Sequence, residues 1–254
     1  MSTRGDPKIN ATAVSFGIFD LVKEHDGMTL TEVVEHLDKP TSTVHDHLQT
    51  LESLGYLVRE GDEYVLSMKF LELGGYARSQ SRLCRTAEPE VQDLALETGN
   101  HANLMIAENG LGVFMLKREN DDAPSLDTFE GKRVYLHTTA LGKAIMAHMD
   151  EDRLEAVLDE HGLPTRTPET IGTRDELREE LAAVRDRGYA TDDEERLDGI
   201  RCVAAPIRTG TDRVVGAVSV SGLKSRMRGD RFHERVPQQV LQTANVIEVN
   251  MRHN

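Results

Sequence analysis

The chain has 254 residues and carries 44 Asp and Glu against 30 Lys and Arg, a formal net charge of −14. That length allows one or two domains with a full core. The absence of an apolar run near membrane-span length, and of an apolar signal core at the N-terminus, points to a soluble, cytoplasmic protein. Cys84 and Cys202, far apart, fit neither a disulfide framework nor a metal knuckle, so no metal or cofactor is expected.

Residues 1 to 7 are polar and are expected to be disordered. Val14, Ile18, Leu21 and Val22 share one face of a first helix, about Ala11 to His25, closed by Asp26-Gly27. Thr29 and Glu32 form a capping box that starts a second helix through Leu37. Lys39-Pro40 breaks it, with Pro40 tolerated in the first turn of the next helix. Val44, Leu48, Leu51 and Leu54 then make an apolar stripe, with Ser42, His45, Asp46 and Gln49 on the opposite, polar face. Gly55 ends this helix. Tyr56 to Arg59 and Glu63 to Leu66 flank Glu60-Gly61-Asp62 as a two-strand hairpin. Two short helices with a tight turn and then a small wing suit a winged helix-turn-helix, whose second helix lies in a DNA major groove. An amphipathic surface helix beside a hairpin would show the same stripe.

The string TLTEVVEHLDKPTSTVHDHLQTLESLGYLVREGDEYVLSMKFLELG resembles the DNA-binding domain of the IclR family of transcription regulators. The resemblance implies DNA contacts by Thr41, Ser42, Thr43, His45, Asp46 and Gln49, and by Arg59 in the wing. It departs from the family at Asp46, where Arg is common. Charge raises a second question, since residues 1 to 80 hold 7 Lys and Arg against 13 Asp and Glu. Phosphate binding favours the opposite sign. A solvated acidic surface in a high-salt, halophilic cytoplasm, where repulsion is screened within about 3 Å at 1 M, reconciles the two. The competing reading is a domain that only dimerises.

Phe70, Leu71 and Leu73 open a further helix, with a bend expected at Gly74-Gly75. Leu83 to Leu96 continues helical, interrupted at Pro89, and ends at Gly99. Asn103 to Ala107 and Val113 to Lys117 flank the turn Asn109-Gly110 as a hairpin. Asp121 to Ser125 is a loop and Val134 to His137 a short strand. Helices follow at Leu141 to Met149 and Asp152 to Glu160, then a Thr/Pro-rich connection from Leu163 to Ile171. Thr173 and Glu176 form a second capping box for a helix that stops at Gly188. Arg201 to Arg208 and Val214 to Val220 are strands joined by Thr209 to Asp212, and a last helix runs from Phe232 to Val249. Strands mixed with flanking helices and joined by hairpins give an α+β class with an antiparallel sheet.

Three segments draw attention as a ligand site. At Leu136 to Ala144 a strand gives way to a helix start whose N–H groups suit an anion, or are simply capped by Thr138 or Thr139. Tyr189 to Ile207 sets an acidic cluster before an apolar strand holding Cys202; the plain alternative is a solvated loop and a structural cysteine. In Ser219-Val220-Ser221-Gly222, alternation sends both hydroxyls to one face. All three, with Thr167, Thr170 and Ile171, resemble in order the motifs of the IclR family's effector-binding domain, which has a GAF-like fold. The resemblance implies a metabolite pocket with amides from Ala140 and Leu141 and side chains from Asp192, Cys202, Ser219 and Ser221.

The expected organisation is a winged helix-turn-helix domain over residues 8–68, a linker helix over 69–84 and an effector-binding domain over 85–254. The expected function is regulation of transcription, as a homodimer or tetramer on a palindromic operator of double-stranded DNA, under a small-molecule effector of a catabolic operon. A hydrolase using Cys202 or Ser219 is the rival, and it needs a base, for which His137 is the only candidate near these motifs. No G-x-S-x-G elbow, H-E-x-x-H or P-loop is present.

Overall fold

A computed structural model of the chain describes residues 7–120, 126–210 and 213–253. The expected disorder before Lys8 and the loop Asp121 to Ser125 fall outside those residues, Pro7 apart, as does part of the turn Thr209 to Asp212. The described residues form two compact units that divide between Arg78 and Ser79.

The first unit holds α1 (Asn10–Glu24), β1 (Met28–Thr29), α2 (Leu30–Leu37), α3 (Thr41–Ser53), β2 (Leu57–Glu60), β3 (Glu63–Leu66) and all but the last residue of α4 (Lys69–Ser79). The capping box forms at α2: Thr29 N donates to the Glu32 carboxylate at 2.8 Å and Glu32 N donates to Thr29 Oγ1. Pro40 is the N-cap of α3, one residue ahead of the first turn where the sequence places it. The helix closes in a Schellman motif, with Tyr56 N donating to Leu51 O and Gly55 N to Glu52 O, and Gly55 takes φ +75°. Val44, Leu48 and Leu51 are buried against Ile18, Val33 and Leu57. Leu54 is not part of that stripe. It is the C-cap, its direction no longer follows the helical period, and it is 55% exposed. β1 was not anticipated; two residues pairing Met28 with Tyr64 and Thr29 with Glu63 carry too little pattern to be read. α4 runs through Gly74-Gly75 without a break.

The second unit is a six-stranded sheet in the order β6-β5-β4-β9-β8-β7, antiparallel throughout. Its strands are β4 (His101–Glu108), β5 (Leu111–Arg118), β6 (Arg133–Tyr135), β7 (Ala190–Asp193), β8 (Ile200–Arg208) and β9 (Val214–Leu223). The β4–β5 turn has positive φ at both Asn109 and Gly110, the geometry an Asn-Gly hairpin supplies. One face buries Leu104, Val218 and Val220 against α5 (Arg82–Thr98) and α9 (Val236–His253). The other buries Met105, Ala204 and Ala217 with α6 (Ala140–Met146), α7 (Glu151–His161) and α8 (Arg174–Arg187).

Several expectations need correction here. α5 is continuous through Pro89, because its other turns hold it in place on the core through Leu83, Ala87, Val91 and Leu94. Gln80 and Ser81 separate α4 from α5, and the Ser81 hydroxyl caps the latter, so the linker stretch is two helices. Leu136 to Thr138 is a 3-10 turn and not strand, and His137 therefore leaves the sheet. β7 was missed; its Thr-Asp-Asp is poor strand sequence, and pairing with β8 fixes it. At Thr173 the hydroxyl caps Glu176 N, but the Glu176 carboxylate returns to that hydroxyl at 2.8 Å and not to the backbone.

Candidate functional site

Two regions carry chemistry, one in each unit. On α3, Thr41, Ser42, Asp46 and Gln49 are exposed and Thr43 and His45 half-buried, all clear of the buried stripe. Pro40 offers no side-chain cap, so the first N–H groups of α3 have no side-chain partner from it. Gln49, about two turns on, can pair with an adenine edge. His47, which drew no attention in the sequence, accepts or donates to Ser15 at 2.9 Å and ties α3 to α1. Arg59 folds over its own wing: Nε donates to Gly61 O at 3.1 Å and the guanidinium lies over the Tyr64 ring. Asp46 stands beside His45 at 3.8 Å and adds negative charge to the polar face of α3.

In the second unit the register across β7, β8 and β9 sets Asp192 beside Cys202 and Cys202 beside Ser221. Alternation sends this row to the α6 face. The small residues Ala190 and Ala204 occupy the next row and leave room under it. A small cavity results, about 30 Å³ on a scale where one water takes about 10–15 Å³. Four of the six residues expected at an effector site line it: Leu141, Asp192, Cys202 and Ser221. Ala140 and Ser219 are wholly buried beside it but do not reach its wall. Ser219 instead accepts a bond from Asn103 Nδ2 at 3.4 Å. The wall is completed by residues not singled out in the sequence, Asn103 from β4, Phe114 from β5, and Leu126 and Thr128 before β6, and by Thr139, Arg196, Leu197 and Ile200 from the segments that drew attention there. Asn103 could have been found, since an amide inside the apolar run Ala102 to Ile106 is a polar group that burial must account for.

The acidic cluster after Tyr189 is not a solvated loop. Asp193 pairs with Arg201 at 2.8 Å, Glu194 with Lys224, and Glu195 with Lys143 at 2.5 Å. Lys143, fully buried, also reaches Glu180 at 3.4 Å. Thr167 Oγ1 donates to Glu194 O at 2.7 Å and Thr170 Oγ1 to Glu195 O at 2.5 Å, pinning the turn. Asp192 accepts from Glu195 N at 2.8 Å. Burial first, and the neighbouring Glu195 second, push its carboxyl up to about 7.

These surroundings argue against nucleophilic chemistry. Burial raises the Cys202 thiol to about 12, with Asp192 adding to it, and Ser221 Oγ donates to its sulfur at 3.1 Å. His137 is buried, held near 4 by that burial, and directs Nε2 at Pro164 O, 3.3 Å away.

Thr139 Oγ1 caps Gly142 N at 2.9 Å and fixes the start of α6 at the cavity. Gly142 lies so close to the preceding 3-10 turn that an added Cβ would run into the backbone carbonyl of Leu136. Gly142→Ala should therefore cost about 1–3 kcal/mol, the overpacking range, toward its upper end because backbone must move. A urea melt measures it, and a loss under 0.5 kcal/mol, roughly that of a neutral surface change, would show that α6 can shift freely.

Comparison with known proteins gives one consistent result. Residues 11–61 match the IclR helix-turn-helix domain, and residues 76–249 match the family described as bacterial transcriptional regulator IclR C-terminal. The chain is 36% identical to the probable HTH-type transcriptional regulator ArcR of Halobacterium salinarum, covering 98% of this chain and 97% of that one. The crystal structure of Thermotoga maritima IclR superposes with a TM-score of 0.76 at 29% identity, over 95% of this chain and 98% of that one. An IclR homologue from Microbacterium hydrocarbonoxydans, complexed with 4-hydroxybenzoate, shares the fold at 23% identity and a TM-score of 0.76, over 90% of this chain and 92% of that one. Among the described residues no helix is long and apolar enough to cross a membrane. The winged helix-turn-helix, the antiparallel sheet domain and these matches over nearly the whole chain place the protein in the IclR family of DNA-binding transcriptional regulators.

Proposed function

We propose that the protein is a metabolite-responsive regulator of a catabolic operon, in which α3 and the wing read an operator and the cavity beside α6 takes the effector. The convergence of Leu141, Asp192, Cys202 and Ser221 on one cavity carries this reading. Residues 8–68 are assigned to DNA reading, 69–84 to the link and 85–254 to the effector. The 4-hydroxybenzoate complex of the Microbacterium relative supports a small organic acid as the kind of ligand. The effector's anionic end belongs at the Leu141 amide and its polar end toward Asp192 and Ser221. Assembly as a homodimer or a dimer of dimers on a palindromic operator follows from the small footprint of one reading helix. The apolar residues left exposed along α4, Leu71 at 70% and Tyr76 at 68%, support it.

Footprinting of genomic fragments retained by the protein, in high salt, identifies the operator. Gln49→Ala and His45→Ala should each weaken that site by about 1–3 kcal/mol, roughly 5- to 150-fold. Arg59→Ala should weaken operator and scrambled DNA alike, as loss of a phosphate contact does. Equal losses on both DNAs for Gln49→Ala would remove its base-reading role, and a monomer that retains no fragment would sink the proposal.

A further inference from the structure

The cavity wall contains polar atoms that the protein itself leaves unpaired. Asn103 is 2% exposed and Thr128 7% exposed. Asn103 Oδ1 and Thr128 Oγ1 are both buried without a hydrogen-bond partner among the described residues, and both residues line the cavity. The orientation of the Asn103 amide follows from its neighbours. Ser221 spends its proton on the Cys202 sulfur, 3.1 Å away, so its oxygen must accept. The group offered to it, and to Ser219, at 3.4 Å is therefore the Asn103 NH₂. That leaves the carbonyl oxygen as an acceptor with nothing to accept. An unpaired buried acceptor is costly, and a ligand hydroxyl, an N–H or a water would relieve it.

The third group is Arg196. Its guanidinium gives one nitrogen to Asp127 at 2.6 Å and lies 5.9 Å from the Phe114 ring centroid. With five N–H donors on a planar fork, it can bind a carboxylate while keeping Asp127. The size of the space sets a further limit. About 30 Å³ is room for two or three waters, so a three-carbon acid needs the walls to give a little and an aromatic ring needs them to give much more.

We infer that the cavity selects a short 2-hydroxycarboxylic acid over the matching 2-oxo acid, with the ligand hydroxyl donating to Asn103 Oδ1, Thr128 completing that contact, and the carboxylate shared between the Leu141 amide and Arg196. The inference rests on the reading of this cavity as the effector site. A ketone oxygen cannot donate, so an oxo acid would set an acceptor against the Asn103 oxygen. A site built to bond a hydroxyl rejects an analogue without it far more strongly than an apolar pocket rejects a changed methylene.

The test is calorimetric titration of the full-length chain with lactate, glycerate, pyruvate and benzoate. Lactate and pyruvate differ only at the group in question. Lactate or glycerate should bind about ten-fold or more tightly than pyruvate, and benzoate more weakly than either hydroxy acid. Asn103→Leu should abolish the lactate preference, while Arg196→Gln should weaken lactate and pyruvate together. Thr128→Val removes a hydroxyl without changing volume and should reduce the preference even if Asn103→Leu does not fold. Pyruvate binding as tightly as lactate, or no binding of any of these acids, overturns the assignment. The proposed function is judged apart from it, by whether metabolites from a cell extract still release operator DNA from the parent chain and not from Ser219→Ala/Ser221→Ala.

Discussion

Replacing Lys143 with methionine is expected to destabilise the C-terminal unit by about 3–5 kcal/mol at neutral pH, the cost of removing one partner from a buried ion pair. Lys143 is 1% exposed, and its ammonium lies 2.5 Å from Glu195 and 3.4 Å from Glu180. Methionine fills much the same space, so the loss is electrostatic and not a cavity effect. Glu195 would be left buried and charged, with Oε2 already lacking a hydrogen-bond partner among the described residues. Burial raises the Glu195 carboxyl even with Lys143 in place. A carboxyl with a raised folded pKa holds its proton better folded than unfolded, so acid favours the fold over that window. The penalty of Lys143→Met should therefore shrink as pH falls from 7 toward 5. Urea melts at both pH values measure this, and a loss under 1 kcal/mol at pH 7, the range of an exposed pair, would show that the pair is solvated. Because the Glu195 turn also carries Asp192, the variant should respond poorly to effector as well.

Asp192 gives the second large effect. Its carboxyl is raised to about 7 by burial and by Glu195, against an ordinary value near 3.8. Below about pH 4 both folded and unfolded chains hold this proton, and its stabilising contribution is fully present. Between about pH 4 and 7 only the folded chain keeps it, so that contribution is lost as pH rises. That rise, from near 3.8 to about 7, corresponds to at most about 4 kcal/mol. Relaxation around a cavity-lining group brings the expected loss to about 1–3 kcal/mol. Asp192→Asn keeps an oxygen to accept from Glu195 N and has no charge to bury. It should flatten the slope between pH 5 and 8 and exceed the parent in stability at pH 8. A parent without this slope would show Asp192 ionised in the fold, and a variant with the parent's full slope would assign it to Glu195 instead. Anionic ligands should bind more tightly below pH 7, where the carboxyl is neutral.

Much of the reading unit was legible because its signals are local. A capping box at Thr29 and Glu32, a glycine after Leu54 and an apolar period of 3.6 each need only neighbouring residues. The same holds for Asn109-Gly110. The sheet was legible where strands were apolar and failed at β7, where Ala190 and Asp192 alternate inward with Thr191 and Asp193. Four residues rich in Asp look like a loop until β8 pairs with them. The cavity followed the same division. Ser221 and Cys202 could be set on a buried face by alternation within their own strands. Arg196 and Thr128 reach the cavity from loops, and Lys143 meets Glu195 across 52 positions. No spacing encodes those approaches, since the fold brings them together. The departure expected at Asp46, where the resemblance implies Arg, has no explanation in the structure.

The measurement that tests the account most directly is operator affinity with and without effector, for the parent and for Ser219→Ala/Ser221→Ala. Fluorescence anisotropy on the footprinted operator, titrated with the metabolite that shifts it, reads both quantities. Ser221 lines the cavity, and Ser219 holds Asn103 behind it. The parent should change affinity by about 5- to 150-fold on saturation, the usual span of a coupling between two sites. The double variant should bind operator as the parent does without effector and show no shift with it. A double variant that responds to the metabolite at the parent's concentration and amplitude would contradict the claim that this cavity controls DNA binding.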